Sequence, residues 1–206
     1  MKIIAIEGID GSGKSTLLDK LFSEALKLDP EKICLFKTPY GCKSKEIEIL
    51  LKKKGRELAF YERFSLYHSG NIIPILEAKL NNCQNVVLDR YFLSSFTYSI
   101  PANTKFNLVK DLLKIVKPFI LKSEFLIYLK VDERIWKRRL RERKNAPNQE
   151  LEKLTGLDKL IFFKNLMDFL VKNYWSFFSK TPPIILNNNQ EDDLVNNLQV
   201  IRSLLE

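Results

Sequence analysis

Residue type and spacing first specify chemistry in the stretch Gly8-Ile9-Asp10-Gly11-Ser12-Gly13-Lys14-Ser15-Thr16. Its pattern, G-x-x-x-x-G-K-[ST], is that of a phosphate-binding loop. The glycines let backbone N–H groups turn inward around a phosphate, and the N-terminus of a following helix adds partial positive charge. In that arrangement Lys14 reaches the β- and γ-phosphates of a nucleoside triphosphate and Ser15 holds Mg2+. Asp89-Arg90, at the end of the apolar run Val86-Val87-Leu88, is a second candidate. A carboxylate there suits Mg2+ or its water shell, and a neighbouring guanidinium can grip another phosphate through two parallel hydrogen bonds. The third concentration of charge is Lys137-Arg138-Arg139-Leu140-Arg141-Glu142-Arg143-Lys144.

These groups need elements to position them. The apolar run Ile3-Ile4-Ala5-Ile6 precedes the loop and a helical pattern begins at Leu17-Leu18, the strand–loop–helix context the motif requires. Strands are expected at 2–7, 33–36, 86–89, 125–129 and 182–186. Helices are expected at 14–28, 44–53, 56–81, 91–99, 106–117, 133–144, 156–179 and 191–205, with Pro74 predicting a kink or break. Pro39 and Gly41 mark a loop after the second strand. The alternation predicts an α/β fold: a five-stranded parallel sheet with helices on both faces and a basic lid. Ligands in such sheets sit beyond the carboxyl ends of the strands. The phosphate loop, Lys37, Asp89-Arg90 and the basic helix all fall near such ends and should converge.

The 206 residues suit one domain, 1–206, with a lid at about 139–152. No apolar run is long enough to cross a bilayer, and no signal-peptide cleavage site is evident, so a cytoplasmic protein without membrane contact is expected. Cys34, Cys42 and Cys83 are odd in number and lack C-x-x-C spacing; they read as reduced thiols, not a disulfide or a zinc site. The net charge of +9 fits nucleic acid or nucleotide phosphate. The basic helix has no interleaved aromatics and a phosphate loop already demands cations, so small nucleotides are the expected partners and nucleic acid is not. Asn187-Asn188-Asn189 is the one low-complexity segment.

The phosphate loop together with Asp89-Arg90-Tyr91-Phe92-Leu93-Ser94-Ser95-Phe96-Thr97-Tyr98 resembles the thymidylate kinases, which show a D-R-[FY]-x-x-S-x-x-A-Y segment after the third strand. Length, strand order and the basic lid extend the resemblance over nearly the whole chain. It implies a P-loop NTPase fold and Mg2+-dependent transfer of the ATP γ-phosphoryl group to dTMP. By resemblance, Asp10 lies near the acceptor's phosphate and sugar, Arg90 holds that phosphate with Ser94 nearby, and Tyr98 lines the sugar side. Some family members carry an Arg within the phosphate loop; others have Gly there and take the Arg from the lid. Gly11 places this chain in the second group, with Arg143 as first choice for the lid cation and Arg141 and Lys144 behind it. Arg139 resembles the position that packs on the adenine, and it shares a helix face with Arg143.

The acceptor side departs from the family. Lys37-Thr38-Pro39-Tyr40-Gly41 stands where Arg-Glu-Pro-Gly-Gly is usual, so Lys37 supplies charge without a bidentate fork. Counting back from Asp89 without gaps, Phe64 falls on the position that stacks on thymine and His68 on that of the base-reading Arg. Ser99 stands where Gln is common. The acceptor therefore stays open among dTMP, dUMP, UMP and CMP, since the Asp-Arg-Tyr segment also resembles thymidylate kinase-like UMP/CMP kinases. A deoxynucleoside kinase would need a carboxylate base for a neutral hydroxyl, for which Glu7 is adjacent to the loop. A nucleotide-binding module without acceptor turnover is the alternative of another class. The family's homodimers pack through helices near the middle of the chain, and the Phe- and Tyr-rich stretch 58–67 can serve as such a face or as core.

Overall fold

The computed structural model describes residues 1–25, 32–38, 45–54, 57–102, 104–144 and 156–205. Its centre is β1 (Lys2–Glu7), whose alternating side chains feed two cores. Ile3 and Ala5 face one side, Ile4 and Ile6 the other, and all four are buried. A strand buried on both faces is what a near-continuous Ile/Ala run specifies. β2 (Ile33–Lys37), β3 (Asn85–Asp89), β4 (Phe125–Lys130) and β5 (Ile184–Asn187) complete a five-stranded sheet in the order β2-β3-β1-β4-β5. Every pairing is parallel.

On one face lie α1 (Lys14–Ala25) and α8 (Glu191–Leu205), joined through Leu17, Leu21, Leu194, Leu198 and Ile201. The other face carries α3 (Phe60–Leu80), α4 (Phe92–Ser99), α5 (Phe106–Val116) and α7 (Leu157–Tyr174) over an aromatic-rich core. α2 (Lys45–Lys54) contacts α3, and α6 (Glu133–Lys144) follows β4. The expected strands and helices are present within a few residues. Single 3₁₀ turns at Lys117–Phe119 and Trp175–Phe177 end the two helices expected to run through to 117 and 179.

α3 runs through Pro74 without a break, one of the two outcomes expected there. Pro74 cannot donate to the Gly70 carbonyl, but the helix is held on both sides of that gap by burial of Gly70, Ile75 and Ala78 and by Asn71, whose amide donates to Ser95 Oγ at 2.9 Å. The cysteines are not all reduced thiols: Cys34 and Cys83 form a disulfide across 49 residues. β2 pairs with β3 so that Cys34 stands beside Val86, and the turn through Asn82 brings Cys83 back alongside, with Cα atoms 5.9 Å apart. Cys42 and the expected loop at Pro39-Tyr40-Gly41 lie outside the described residues, as does the lid from 145 to 152.

Candidate active site

The phosphate loop turns between β1 and α1 on left-handed glycines, Gly11 (φ +85°) and Gly13 (φ +89°). A Cβ on Gly13 would overlap the Asn188 side-chain amide, which donates to the Ser12 carbonyl at 2.6 Å. A Cβ on Gly11 would stand 3.1 Å from Trp136 Cδ1 and 3.3 Å from Leu140 Cδ2. Helix α6 therefore occupies the space above Gly11. Trp136 is fully buried and its Nε1 donates to the Asp10 carbonyl at 2.6 Å. Arg139, three residues on, donates to the carbonyls of Asn188 (2.8 Å) and Asn189 (3.3 Å). Loop, α6 and the β5–α8 connection thus form one donor-side assembly.

Lys14 Nζ donates to the carbonyls of Gly8 (2.6 Å) and Ile9 (3.2 Å). Burial pushes its pKa down to about 7, and the Arg90 charge adds to that; Asp10, Asp89 and Glu7 work the other way. Ser15 and Thr16 are exposed at the start of α1, where a phosphate and its counterion would lie. Asp89 is buried at the carboxyl end of β3, and its Oδ1 has no hydrogen-bond partner among the described residues. An orphaned carboxylate oxygen and a hydroxyl at the helix start fit Mg2+, which is held in such sites by one or two protein oxygens plus water and phosphate. No cluster of three or more His, Cys, Asp or Glu side chains able to hold a metal occurs among the described residues.

Arg90 organises the opposite side. Its guanidinium forms an ion pair with Asp10, donates to Ser94 Oγ at 3.2 Å and Tyr98 Oη at 3.4 Å, reaches the Gly8 carbonyl at 3.4 Å, and lies 5.3 Å from the Tyr98 ring centroid. Burial opposes its charge, but Asp10, Tyr98, Asp89 and Glu7 outweigh that and raise its pKa well above the usual arginine value. Tyr98 Oη donates to Asp10 Oδ2 at 3.4 Å, and burial followed by the Asp10 charge holds it protonated. Glu7 is spent on structure: it accepts from the N–H groups of Tyr91 (2.8 Å) and Ser94 (3.1 Å) and from Ser94 Oγ, fixing the N-terminus of α4. Burial raises its pKa against those bonds. Lys37 is exposed at the end of β2, in register with Asp89.

The structure brings Asp10, Lys14, Arg90, Ser94 and Tyr98 together. Phe64 is buried against Phe60 and Phe96, and His68 Nε2 hydrogen-bonds the Phe119 carbonyl at 2.8 Å among Phe64, Phe92 and Phe119. Arg63 and Tyr67 each precede one of these residues by one position on α3. Burial raises the Tyr67 pKa, and the residue feels the charges of Arg90, Arg63 and Asp10. Burial lowers the Arg63 pKa, partly offset by Tyr67. Trp136 and Asn188 were missed as site residues; Asn188 follows β5, where the carboxyl-end rule would have found it. Arg141 is exposed, while the side chains of Arg143 and Lys144 lie outside the described residues. Lys137 and Arg138 are paired along α6 with Glu133 (2.5 Å) and Glu142 (3.8 Å) in surface i,i+4 ion pairs.

A profile of the family described as thymidylate kinase matches residues 6–187. A probable thymidylate kinase of Archaeoglobus fulgidus is 30% identical over 162 residues, covering 76% of this chain and 79% of that protein. One from Picrophilus torridus is 30% identical over 205 residues, covering 93% and 90%. Among solved structures, the thymidylate kinase of Candida albicans superposes with a TM-score of 0.67 at 20% identity, covering 98% of this chain and 91% of that one. That of Ehrlichia chaffeensis gives 0.61 at 18%, covering 100% and 98%. These two share the fold, the parallel sheet and phosphate loop of P-loop NTPases. The family match over most of the length, on the residues that form this crevice, shows that the chain belongs to the thymidylate kinase family of ATP-dependent nucleoside monophosphate kinases.

Proposed function

We propose that the chain transfers the γ-phosphoryl group of ATP to dTMP, giving ADP and dTDP. The observation that carries this reading is the guanidinium of Arg90, held protonated beside Asp10 and reaching the same Gly8 carbonyl that Lys14 holds. Two cations from opposite sides meet at one point, which suits two phosphates brought in line. The relatives in several organisms named as thymidylate kinases supply dTMP as the acceptor.

In this mechanism the loop N–H groups and Lys14 bind the β- and γ-phosphates. Arg90 grips the acceptor phosphate and Asp10 orients Arg90. The acceptor oxygen is already anionic, so attack on the γ-phosphorus needs no general base, and the β–γ bridging oxygen leaves with ADP. That agrees with the commitment of Glu7 to Tyr91 and Ser94, which leaves it unable to deprotonate a hydroxyl and disfavours a nucleoside as acceptor. Ser15 and Asp89 would hold Mg2+, which when bound neutralises charge on the phosphoryl oxygens. Arg63 and Tyr67 replace His68 and Phe64 as the side chains of α3 that contact the acceptor base, with Tyr98 along the sugar. Arg139 packs on adenine. Arg143, with Arg141 behind it, supplies the lid cation, and Trp136 over Gly11 is why that cation comes from α6 and not from the loop.

The reaction is placed in the cytoplasm, where both nucleotides occur; no described helix is long and apolar enough to cross a membrane. A homodimer would use the exposed Tyr61, Leu76 and Leu80 of α3, since Phe60 and Phe64 are core. The function is tested by coupled ADP release with dTMP, dUMP, UMP, CMP and thymidine. Acceleration greatest with dTMP is expected; turnover with thymidine but not dTMP would overturn the reading.

A further inference from the structure

Arg90 does its work from a backbone that its side chain disfavours. Its φ is +72°, and Asn82 is the other non-glycine residue in that region among those described. An L-residue with a Cβ resists this conformation, so the surroundings must impose it. Three contacts do so. The Arg90 N–H donates to the Ile6 carbonyl at 3.0 Å, and the next N–H, of Tyr91, donates to Glu7 Oε1 at 2.8 Å. The Arg90 carbonyl accepts from Thr38 Oγ1 at 2.6 Å. The first two come from β1 at the centre of the sheet. The third comes from Thr38, the residue that follows the edge strand β2, across 52 residues of sequence.

Thr38 is wholly buried, and its own N–H donates to the Asp89 carbonyl at 3.0 Å. One residue therefore grips both members of the Asp-Arg pair, the main chain of Asp89 and the carbonyl of Arg90. The hydroxyl is the only part of Thr38 that can hold the carbonyl; its methyl group is apolar. Without it the Arg90 carbonyl would lose this partner, and the peptide would be free to turn toward a right-handed conformation that swings the guanidinium away from Asp10 and Gly8.

We propose that Thr38 is a positioning residue for the acceptor phosphate: its hydroxyl fixes the left-handed backbone that aims Arg90. This rests on the assignment of Arg90 to the acceptor phosphate made above. The test compares wild type, Thr38→Val and Thr38→Ser by calorimetric titration with dTMP, thymidine and ATP. Valine keeps the shape and removes the donor; serine keeps the donor. T38V should bind dTMP about tenfold more weakly, with thymidine and ATP within about twofold of wild type, and T38S should recover dTMP binding to within about threefold. Equal losses for dTMP, thymidine and ATP, or no loss for dTMP, would overturn the proposal. Should T38V fail to fold, Thr38→Ala removes the same donor with less bulk and is read the same way. Should wild type bind dTMP no more tightly than thymidine, the assignment of Arg90 to phosphate fails instead. Thr38 is then judged from crystal structures of wild type and T38V, where an Arg90 φ leaving the left-handed region supports the positioning role and an unchanged φ contradicts it.

Discussion

The two halves of this crevice are built in different ways. The donor half is centred on one contiguous motif, braced by α6 and the β5–α8 connection, and most of its contacts are to backbone: Lys14 to the Gly8 and Ile9 carbonyls, Asn188 to the Ser12 carbonyl, Trp136 to the Asp10 carbonyl. The acceptor half is made from side chains on separate segments: Asp10 from the loop, Arg90 after β3, and Ser94 and Tyr98 from α4, with Arg63 and Tyr67 of α3 proposed as a further contribution. Backbone recognition depends on conformation and tolerates exchange of most side chains. Side-chain recognition depends on which rotamer faces inward. The difference explains why triphosphate binding is written in a short pattern, whereas acceptor choice is distributed and can drift.

The largest effect that separates the halves is expected at Arg90. Arg90→Ala should lower kcat/KM for dTMP about 10²-fold, since it removes a charge-assisted grip and leaves Asp10 without its partner, while KM for ATP stays within about threefold. Steady-state kinetics with each substrate varied in turn checks this; equal damage to both would mean the halves are not separable. Next comes the rotation of α3. Arg63→Gln and Tyr67→Phe should each raise KM for dTMP about tenfold, and His68→Asn should leave it within about twofold. The reverse order would restore the gap-free register.

The rotation of α3 is the part of the site that the sequence leaves undecided. Strand and helix existence was legible because β1 and β3 are unbroken apolar runs and α1 and α4 follow loops of recognisable chemistry. Asp10, Arg90 and Tyr98 were legible because a motif fixes each to a strand or helix end. Phe64 and His68, like Arg63 and Tyr67, lie in the first half of a 21-residue helix with apolar side chains at mixed spacings, where no local signal sets rotation. Tertiary packing of Phe60 and Phe64 on Phe96 sets it instead. Cys34 and Cys83 were misread for a related reason: 49 residues separate them, and only the β2–β3 pairing brings them together.

On the donor side the expected effects are smaller and fall on stability and protons. Gly11→Ala forces a Cβ into the left-handed region and toward Trp136, at a cost of about 1–2 kcal/mol, so the thermal midpoint should fall by about 2–8 °C. An unchanged midpoint would mean α6 does not rest on the loop. Last, Lys14 titrates near pH 7 without nucleotide against an ordinary value of 10.5. Between those values the unfolded chain holds the proton and the folded chain does not, so this residue's contribution makes stability rise with pH across that window. Bound phosphates favour the charged amine, so ATP binding at pH 8.5 should take up close to about one proton. Calorimetry in two buffers of different ionisation enthalpy measures the uptake, and Lys14→Arg, which stays charged, should abolish it.

The account as a whole meets its most direct test in a crystal structure with dTMP and a non-hydrolysable ATP analogue bound together. The predicted result is the dTMP phosphate on Arg90, the thymine ring against Arg63 and Tyr67, and the γ-phosphate on Lys14, in line with the acceptor oxygen. A dTMP phosphate away from Arg90, or a thymine ring seated on Phe64 and His68, would contradict it.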